Sequence, residues 1–206
     1  MSGGRLGLAL VVCAPSGTGK TTLVKRLLAE FPNFAYSVSY TTRTPRAGEV
    51  HGRDYFFVDE EEFVRLREAD FFAEWAQVHG NYYGTPLAQV LETLASGRDM
   101  LFDIDVQGAR QLRSRLTGLY VFILPPSRRT LEERLQGRGT DTTAVIERRL
   151  HNAGLELHDA PSFDIWIVND DLERASAELR AAYLAEGLRP RYRPDLLDAL
   201  LAQWAT

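Results

Sequence analysis

The chain has 206 residues, a length that fits one domain of ordinary size without a second full core. Hydrophobic residues make up 45% and charged residues 25%, which excludes a disordered protein, and the net charge of −4 argues against a general nucleic-acid binder. The single cysteine, Cys13, excludes an internal disulfide framework and a cysteine-based zinc site. The histidines at 51, 79, 151 and 158 show no metal-ligand spacing, so we expect any metal to be held by oxygen.

The N-terminal segment is a short apolar run, residues 6–13, preceded by Arg5. Such a run has the features of a secretory signal peptide, but cleavage there would cut into the glycine-rich motif that follows it. We therefore interpret it as a buried strand of a cytoplasmic protein. Since no other stretch approaches the ~18 apolar residues that a membrane-spanning helix needs, we expect no membrane partner.

Short apolar runs alternate with helical patterns along the chain. The predicted strands cover residues 6–13, 100–104, 119–124 and 164–168, and the predicted helices cover 20–30, 86–95, 127–136 and 171–185. Pro86 after Thr85 predicts a proline at the first helical position behind an N-cap. Continuous apolarity is typical of strands covered on both faces. The order predicts an α/β fold, a doubly wound parallel sheet flanked by helices with right-handed crossovers.

Three segments interrupt this alternation. Residues 41–84 are rich in Arg, Gly, Tyr and Phe, with strand-like pieces at 55–58 and 74–79 and a helix near 59–68, and we interpret them as an inserted lobe. The irregular stretch 137–143 precedes an arginine-bearing helix at about 142–157. After residue 188, the arginines at 189, 191 and 193 predict a solvated linker into a last helix begun by Pro194.

A phosphate-binding loop joins the first strand to the first helix. Its residues are Ala14, Pro15, Ser16, Gly17, Thr18, Gly19, Lys20 and Thr21. Backbone N–H groups of such a turn bind phosphates, and the two glycines allow backbone angles that a Cβ would block. Lys20 can reach the β- and γ-phosphates of ATP, and the Thr21 hydroxyl can coordinate Mg²⁺. Ala14 stands where the general pattern has glycine, so we infer that it has a negative φ.

Two acids, Asp103 and Asp105, end the predicted strand at 100–104. Ligands of open α/β sheets bind at the carboxyl ends of the strands. Either carboxylate could hold Mg²⁺ through water or orient arginines of the inserted lobe. A capping role for each aspartate is the structural alternative.

The remaining motifs decide among the users of nucleoside triphosphates. Segments 39–49, 52–57, 74–76, 80–85, 103–108, 124–127, 137–139 and 168–171 strongly resemble the guanylate kinase family, and the resemblance runs from about residue 8 to 186. It implies transfer of the γ-phosphoryl group of ATP to GMP, and also to dGMP, in purine nucleotide metabolism and GMP recycling, with Mg²⁺ as cofactor. It divides the chain into a core (1–38, 86–127 and 160–206), a GMP-binding lobe (39–85) and a lid (128–159).

The resemblance also implies roles for individual residues. Guanidinium forks and tyrosine hydroxyls suit phosphate, and the resemblance assigns the GMP phosphate to the arginine and tyrosine cluster, which consists of Arg43, Arg46, Tyr55 and Tyr83. It assigns the guanine base to Glu74, with Ser39 and Thr85 close by. The implied GMP site contains Ser39, Arg43, Arg46, Tyr55, Glu74, Tyr83, Thr85, Asp103 and Asp105, and the metal would be held by Thr21 and Asp103. The implied catalytic cations are Lys20, Arg43, Arg138 and Arg149, with Arg134 and Asn169 against adenine. Because the acceptor oxygen of GMP is already ionised, we predict no general base.

Two alternatives stay open at this stage, and a third class of protein is argued against by the sequence. A regulatory GTPase would need an Asn/Thr-Lys-x-Asp motif, which the sequence lacks. A kinase for another nucleoside monophosphate is the nearest enzymatic rival. A guanylate kinase-like scaffold module, which docks phosphopeptides, typically lacks a working phosphate loop. We expect ATP and GMP to be the small-molecule partners of a monomer or small homo-oligomer.

Overall fold

The computed structural model describes residues 4–35, 37–78, 80–137 and 142–204. Its strands are β1 (Ala9–Cys13), β2 (Phe34–Ala35), β3 (Tyr40–Thr41), β4 (Phe56–Phe57), β5 (Phe72–Val78), β6 (Asn81–Pro86), β7 (Asp99–Asp103), β8 (Leu119–Leu124) and β9 (Ile165–Val168). Its α-helices are α1 (Lys20–Glu30), α2 (Glu60–Glu68), α3 (Leu87–Ala95), α4 (Val106–Arg113), α5 (Arg128–Gln136), α6 (Thr143–Leu157), α7 (Leu172–Gly187) and α8 (Leu196–Trp204). None of these helices is both long and apolar enough to cross a bilayer within the described ranges.

The main sheet confirms the predicted fold class. Its order is β2-β7-β1-β8-β9, and every pairing is parallel. All of β1 is buried, because Leu10 and Val12 face one apolar layer while Val11 and Cys13 face the other. Helices α1 and α7 cover the first face, and α3 and α4 lie on the second. Burial on both faces explains why the strand sequences are continuously apolar.

A second sheet is formed by part of the inserted segment. Its order is β4-β3-β6-β5, with β3 parallel to β4 and antiparallel to β6, while β5 and β6 form an antiparallel pair. Phe63 of α2 stacks on Phe72 and Tyr82 and fills the space behind this sheet. The Gln111 side chain of α4 accepts from the Trp75 N–H and donates to the Trp75 carbonyl, both at 2.9 Å, which attaches β5 to the main sheet's helical layer.

The boundary predicted at Pro86 is wrong. Pro86 is the last residue of β6 and the N-cap of α3, with an extended backbone (φ −66°, ψ 125°), and the helix begins at Leu87. The pairing of Pro86 with Phe72 of β5 continues β6 through the predicted first residue of the helix. The Leu87 N–H is donated to the Phe71 carbonyl at 2.9 Å, which anchors the turn into α3.

The solvated linker predicted after residue 188 is also wrong. Glu186 is buried and forms ion pairs with Arg189 and Arg191, and the Tyr192 hydroxyl donates to it at 3.2 Å. Tyr192 itself is buried in the apolar layer beside α7, and its carbonyl accepts from the Leu6 N–H at 3.0 Å. A buried carboxylate must be compensated, so these arginines hold the tail against the core. The last helix begins at Leu196, two residues later than predicted.

The aspartates at the two ends of β7 have opposite surroundings. Asp99 at the first end is fully buried and accepts from the Leu8 N–H at 2.7 Å, the Tyr183 hydroxyl at 2.5 Å and Arg5 at 3.0 Å. This network ties the N-terminal segment to β7 and α7, so Asp99 serves the fold. Asp103 at the other end is exposed and faces the cleft described next.

Candidate active site

A cleft of about 970 Å³ lies at the carboxyl ends of the parallel strands. The phosphate loop and side chains of the second sheet both line it. The cleft brings together Ser39, Tyr55, Glu74, Tyr83 and Thr85 with Lys20, Thr21, Asp103 and Asp105. Two nucleotides that share one cleft can be aligned for direct transfer of a group between them.

The phosphate loop has the predicted position between β1 and α1. Gly17 and Gly19 have φ values of 94° and 92°, a region that only glycine adopts at little cost. Among the described residues, Asp70 is the one non-glycine residue with a positive φ. The expectation that Ala14 avoids a positive φ is therefore confirmed, and the departure from the general pattern introduces no backbone strain.

Asn169 and Arg134 brace this loop from behind. The Asn169 amide donates to the Thr18 carbonyl at 2.6 Å, and Asn169 is buried. Arg134 of α5 donates to the Asn169 carbonyl at 2.9 Å and to the Thr18 carbonyl at 3.4 Å. Sequence reasoning assigned these two residues to adenine and missed their contacts with the loop.

We expect Gly19→Ala to weaken the fold and the nucleotide site together. A Cβ on Gly19 would lie 2.4 Å from the Asn169 amide nitrogen, and the left-handed backbone alone costs an alanine about 1–2 kcal/mol. The free energy of unfolding in urea should fall by at least that amount. Gly154→Ala is the control, because Gly154 is exposed within α6 with open space around it, and there alanine should add about 0.5–1 kcal/mol. Equal unfolding midpoints for Gly19→Ala and the unmodified chain would contradict the expectation.

Lys20 lies in the cleft beside Asp103, the last residue of β7, and Asp105 follows two residues later. Lys20 Nζ lies 2.7 Å from Asp103 Oδ1 and donates to the Ile104 carbonyl at 3.1 Å. Asp105 instead caps α4, where its side chain accepts from the Gly108 N–H at 2.8 Å. The capping alternative thus holds for Asp105, while Asp103 faces the phosphate loop. The described residues contain no cluster of three or more His, Cys, Asp or Glu suited to a metal.

The arginine and tyrosine cluster is present in the second sheet and its loops. Arg43 forms a two-point ion pair with Glu49 (2.8 and 3.0 Å), and its guanidinium lies 5.5 Å from the Tyr55 ring centroid. The Tyr55 and Tyr83 rings meet edge to face at 6.1 Å. The side-chain hydrogen bond from Arg43 lowers the pKa of Glu49, and the same bond raises the pKa of Arg43.

Glu49 is a residue that sequence reasoning left without a role. It also accepts from the Arg46 N–H at 2.7 Å, so one carboxylate fixes both ends of the segment that carries the two arginines. The sequence feature that could have identified Glu49 is its spacing, three residues after Arg46 and six after Arg43. The Arg46 side chain itself is exposed.

Glu74 is a buried acid of β5 that lines the cleft. The Thr85 hydroxyl donates to Glu74 Oε1 at 2.5 Å, and the Ser39 and Thr85 hydroxyls are 3.5 Å apart. Burial raises the pKa of Glu74, the Thr85 hydrogen bond lowers it in part, and nearby Asp105 raises it further. Among the described residues, no cation lies beside this buried carboxylate. Its oxygens can therefore accept hydrogen bonds from a group bound in the cleft.

Helix α6 brings one unexpected carboxylate to the same cleft. Glu156 is half-buried, and burial raises its pKa while Lys20 lowers it. Arg149 lies on the same helix and is also half-buried, whereas Arg138 lies outside the described residues. Residues 149, 153 and 156 lie on one face of α6, and Ala153 on that face is buried. The helical spacing of these three positions is the sequence signal that could have identified Glu156.

A parallel five-stranded sheet with a glycine loop between β1 and α1 defines a P-loop nucleotide-binding protein. The family model described as guanylate kinase matches residues 7–186. Guanylate kinases of Oleidesulfovibrio alaskensis and Nitratidesulfovibrio vulgaris are each 66% identical to the chain over 97% of its length, covering 98% and 97% of their own. A crystal structure of guanylate kinase from Anaplasma phagocytophilum is 31% identical, with a TM-score of 0.73 and 98% of both chains covered. The chain belongs to the guanylate kinase family.

Proposed function

We propose that this chain transfers the γ-phosphoryl group of ATP to GMP, giving ADP and GDP. The observation that carries the proposal is the buried carboxylate of Glu74 in the same cleft as the phosphate loop. The loop accounts for a nucleoside triphosphate donor. A desolvated acid with hydroxyls beside it accounts for a second, guanine-containing substrate.

Guanine recognition rests on Glu74. Guanine presents N1–H and N2–H₂ as adjacent donors, and one carboxylate accepts both, while the Thr85 and Ser39 hydroxyls lie close enough to serve O6. Adenine would place the N1 lone pair against this carboxylate and lose the second donor. A buried polar site left unpaired rejects an analogue by orders of magnitude.

The phosphate of GMP belongs at the arginine and tyrosine cluster. Arg43 and Arg46 supply guanidinium groups, and Tyr55 and Tyr83 supply hydroxyl donors. The Glu49 carboxylate holds Arg43 at one end, so the arginine keeps its orientation while part of its hydrogen-bonding fork contacts phosphate. The same lobe would accept dGMP, since none of the contacts proposed for the base and the phosphate involves the ribose 2′-hydroxyl.

On the donor side, the loop N–H groups bind the phosphates of ATP and Lys20 neutralises charge on the transferring group. Thr21 and Asp103 would hold Mg²⁺, and they fit it, because both are exposed oxygen ligands lining one cleft and Mg²⁺ commonly takes one or two protein oxygens besides phosphate. When bound, the ion supplies additional neutralisation of phosphate charge. The acceptor oxygen of GMP is already ionised, so the chain needs no general base.

The proposed roles divide the chain into three parts. Residues 39–85 form the GMP-binding lobe, residues 128–159 form a lid, and the rest is the core. Arg149 and Arg138 of the lid would stabilise the transition state and exclude water when the lid closes over ATP. Because both substrates are cytoplasmic nucleotides, we place the protein in the cytoplasm.

Acceptor preference tests the proposed function. ADP release should be measured with ATP as donor and GMP, dGMP, AMP or UMP as acceptor, and kcat/KM should be highest for GMP. Faster turnover of AMP or UMP would assign the chain to another nucleoside monophosphate. Binding of phosphopeptides without ADP release would favour the scaffold-module alternative.

The raised pKa of Glu74 gives a pH dependence of defined sign. The folded chain binds the Glu74 proton more tightly than the unfolded chain does. The contribution of Glu74 to the free energy of unfolding is therefore largest below the ordinary glutamate pKa, and it is lost as pH rises through the raised pKa. GMP binding needs the ionised form. We therefore expect KM for GMP to rise as pH falls through that window, with KM for ATP changing less, and GMP binding to release protons in calorimetry in buffers of different ionisation enthalpy. A KM for GMP that is flat across this window would contradict the assignment.

A further inference from the structure

Helix α8 carries an apolar face that the other described residues of the chain do not cover. Five residues at positions i, i+1, i+4, i+5 and i+8 form a continuous stripe on one side of the helix. They are Leu196, Leu197, Leu200, Leu201 and Trp204, which we call the apolar face of α8. No residue of this helix is buried, and the exposed fractions of the five run from 44% for Leu196 to 87% for Trp204.

A helix of this kind is not stable without cover. It has nine residues, fewer than the ~12–15 that even a favourable isolated helix needs in water. It also lies beyond residue 186, where the match to the guanylate kinase family model ends, and none of its residues lines the active-site cleft. Catalysis as proposed above therefore gives no reason for its apolar residues.

We propose that the apolar face of α8 packs against the same face of a second copy of this chain. The stripe is centred on Leu200, so an antiparallel pair with its two-fold axis near Leu200 sets Leu196 against Trp204 of the partner subunit. From the exposed fractions, the face offers on the order of 500 Å² of apolar side-chain area per copy. Two copies bring together about 1,000 Å², the area at which specific contacts begin.

The charges around α8 favour a second copy over a membrane surface. Helices that lie on membranes carry lysine and arginine on their polar face. Helix α8 itself carries one charged residue, Asp198, which is acidic, and it is preceded by one further acid, Asp195, and one cation, Arg193. In an antiparallel pair, Arg193 comes close to the C-terminal end of the partner helix, where the helix dipole favours a cation.

The test is the solution mass of the chain and of two matched double variants. Leu200→Glu/Leu201→Glu places two carboxylates on the apolar face, and Ala199→Glu/Ala202→Glu places two on the opposite side of α8. By sedimentation equilibrium at micromolar concentration, the unmodified chain and the Ala variant should have twice the 23.2 kDa chain mass. The Leu variant should be a monomer, its dissociation constant raised on the order of 100-fold or more, with unchanged kcat and KM.

A single introduced cysteine tests the geometry of the pair. Oxidation of Leu200→Cys should give a disulfide-linked dimer, while Ala199→Cys should not. Burial raises the pKa of the native Cys13 thiol to about 12, so it will not compete. The proposal is overturned if the unmodified chain is monomeric at tens of micromolar, if the Leu variant keeps the mass of the unmodified chain, or if the apolar face carries the chain onto zwitterionic lipid vesicles instead.

Discussion

Replacing Lys20 with methionine should lower kcat by about 10²–10³-fold, the effect typical of losing one preorganised group that stabilises transition-state charge. The Lys20 ammonium is held at the mouth of the phosphate loop by Asp103 and the Ile104 carbonyl, so it is already positioned where charge develops during transfer. Binding of ATP would exchange the Asp103 carboxylate for phosphate oxygens. Steady-state kinetics with saturating GMP measures the change, and the loss should fall on kcat more than on KM for ATP.

Arg26→Met on the same helix is the matched control. Arg26 forms an ion pair with Glu173 at the surface, 2.7 Å apart, and removal of such a pair costs at most about 1 kcal/mol of stability. Its kcat should stay within twofold of the unmodified chain. Because Lys20 and Asp103 are both partly exposed, Lys20→Met should also unfold at nearly the same urea concentration. A Lys20→Met protein that retains more than a tenth of the activity would show that another cation carries the charge stabilisation.

The second large effect is expected for Glu74→Gln. Loss of the charge-assisted pair with guanine should cost roughly 1–3 kcal/mol in kcat/KM for GMP, which is about a 5- to 150-fold decrease. KM for ATP should change little, because Glu74 belongs to β5 of the second sheet and is not part of the phosphate loop. Discrimination between GMP and AMP should narrow, and parallel kcat/KM measurements with both acceptors report it.

The free energy of unfolding in urea distinguishes an effect of Glu74→Gln on guanine recognition from an effect on folding. Burial raises the pKa of Glu74, which means that the ionised side chain destabilises the folded chain at neutral pH. The neutral glutamine removes this cost, so Glu74→Gln should be at least as stable as the unmodified chain in urea. Glu68→Gln, an exposed acid on α2 of the same lobe, should change neither kinetics nor stability. An unchanged kcat/KM for GMP in Glu74→Gln would place the base elsewhere.

The features that could be predicted before the structure was known are those encoded by neighbouring residues. Continuous apolar runs predicted β1, β8 and β9, because a strand buried on both faces needs no polar positions. Gly17, Gly19 and Lys20 predicted the phosphate loop, since the required backbone angles and the lysine are local properties. The two-residue strands β3 and β4 are too short for any periodicity, and β3 was not predicted at all.

The contacts of each polar residue depend on how the whole chain folds. Asn169 and Thr18 are 151 positions apart in the chain and Lys20 and Ile104 are 84 apart, so no local pattern records either contact. The same holds for Glu156 beside Lys20 and for the tail arginines that neutralise Glu186. These pairs form because a buried polar group without a hydrogen-bond partner costs free energy, and packing determines which groups lie close enough to pair. The local sequence thus determined the loop that binds phosphate, and packing decided that Asn169 and Arg134 hold this loop in place.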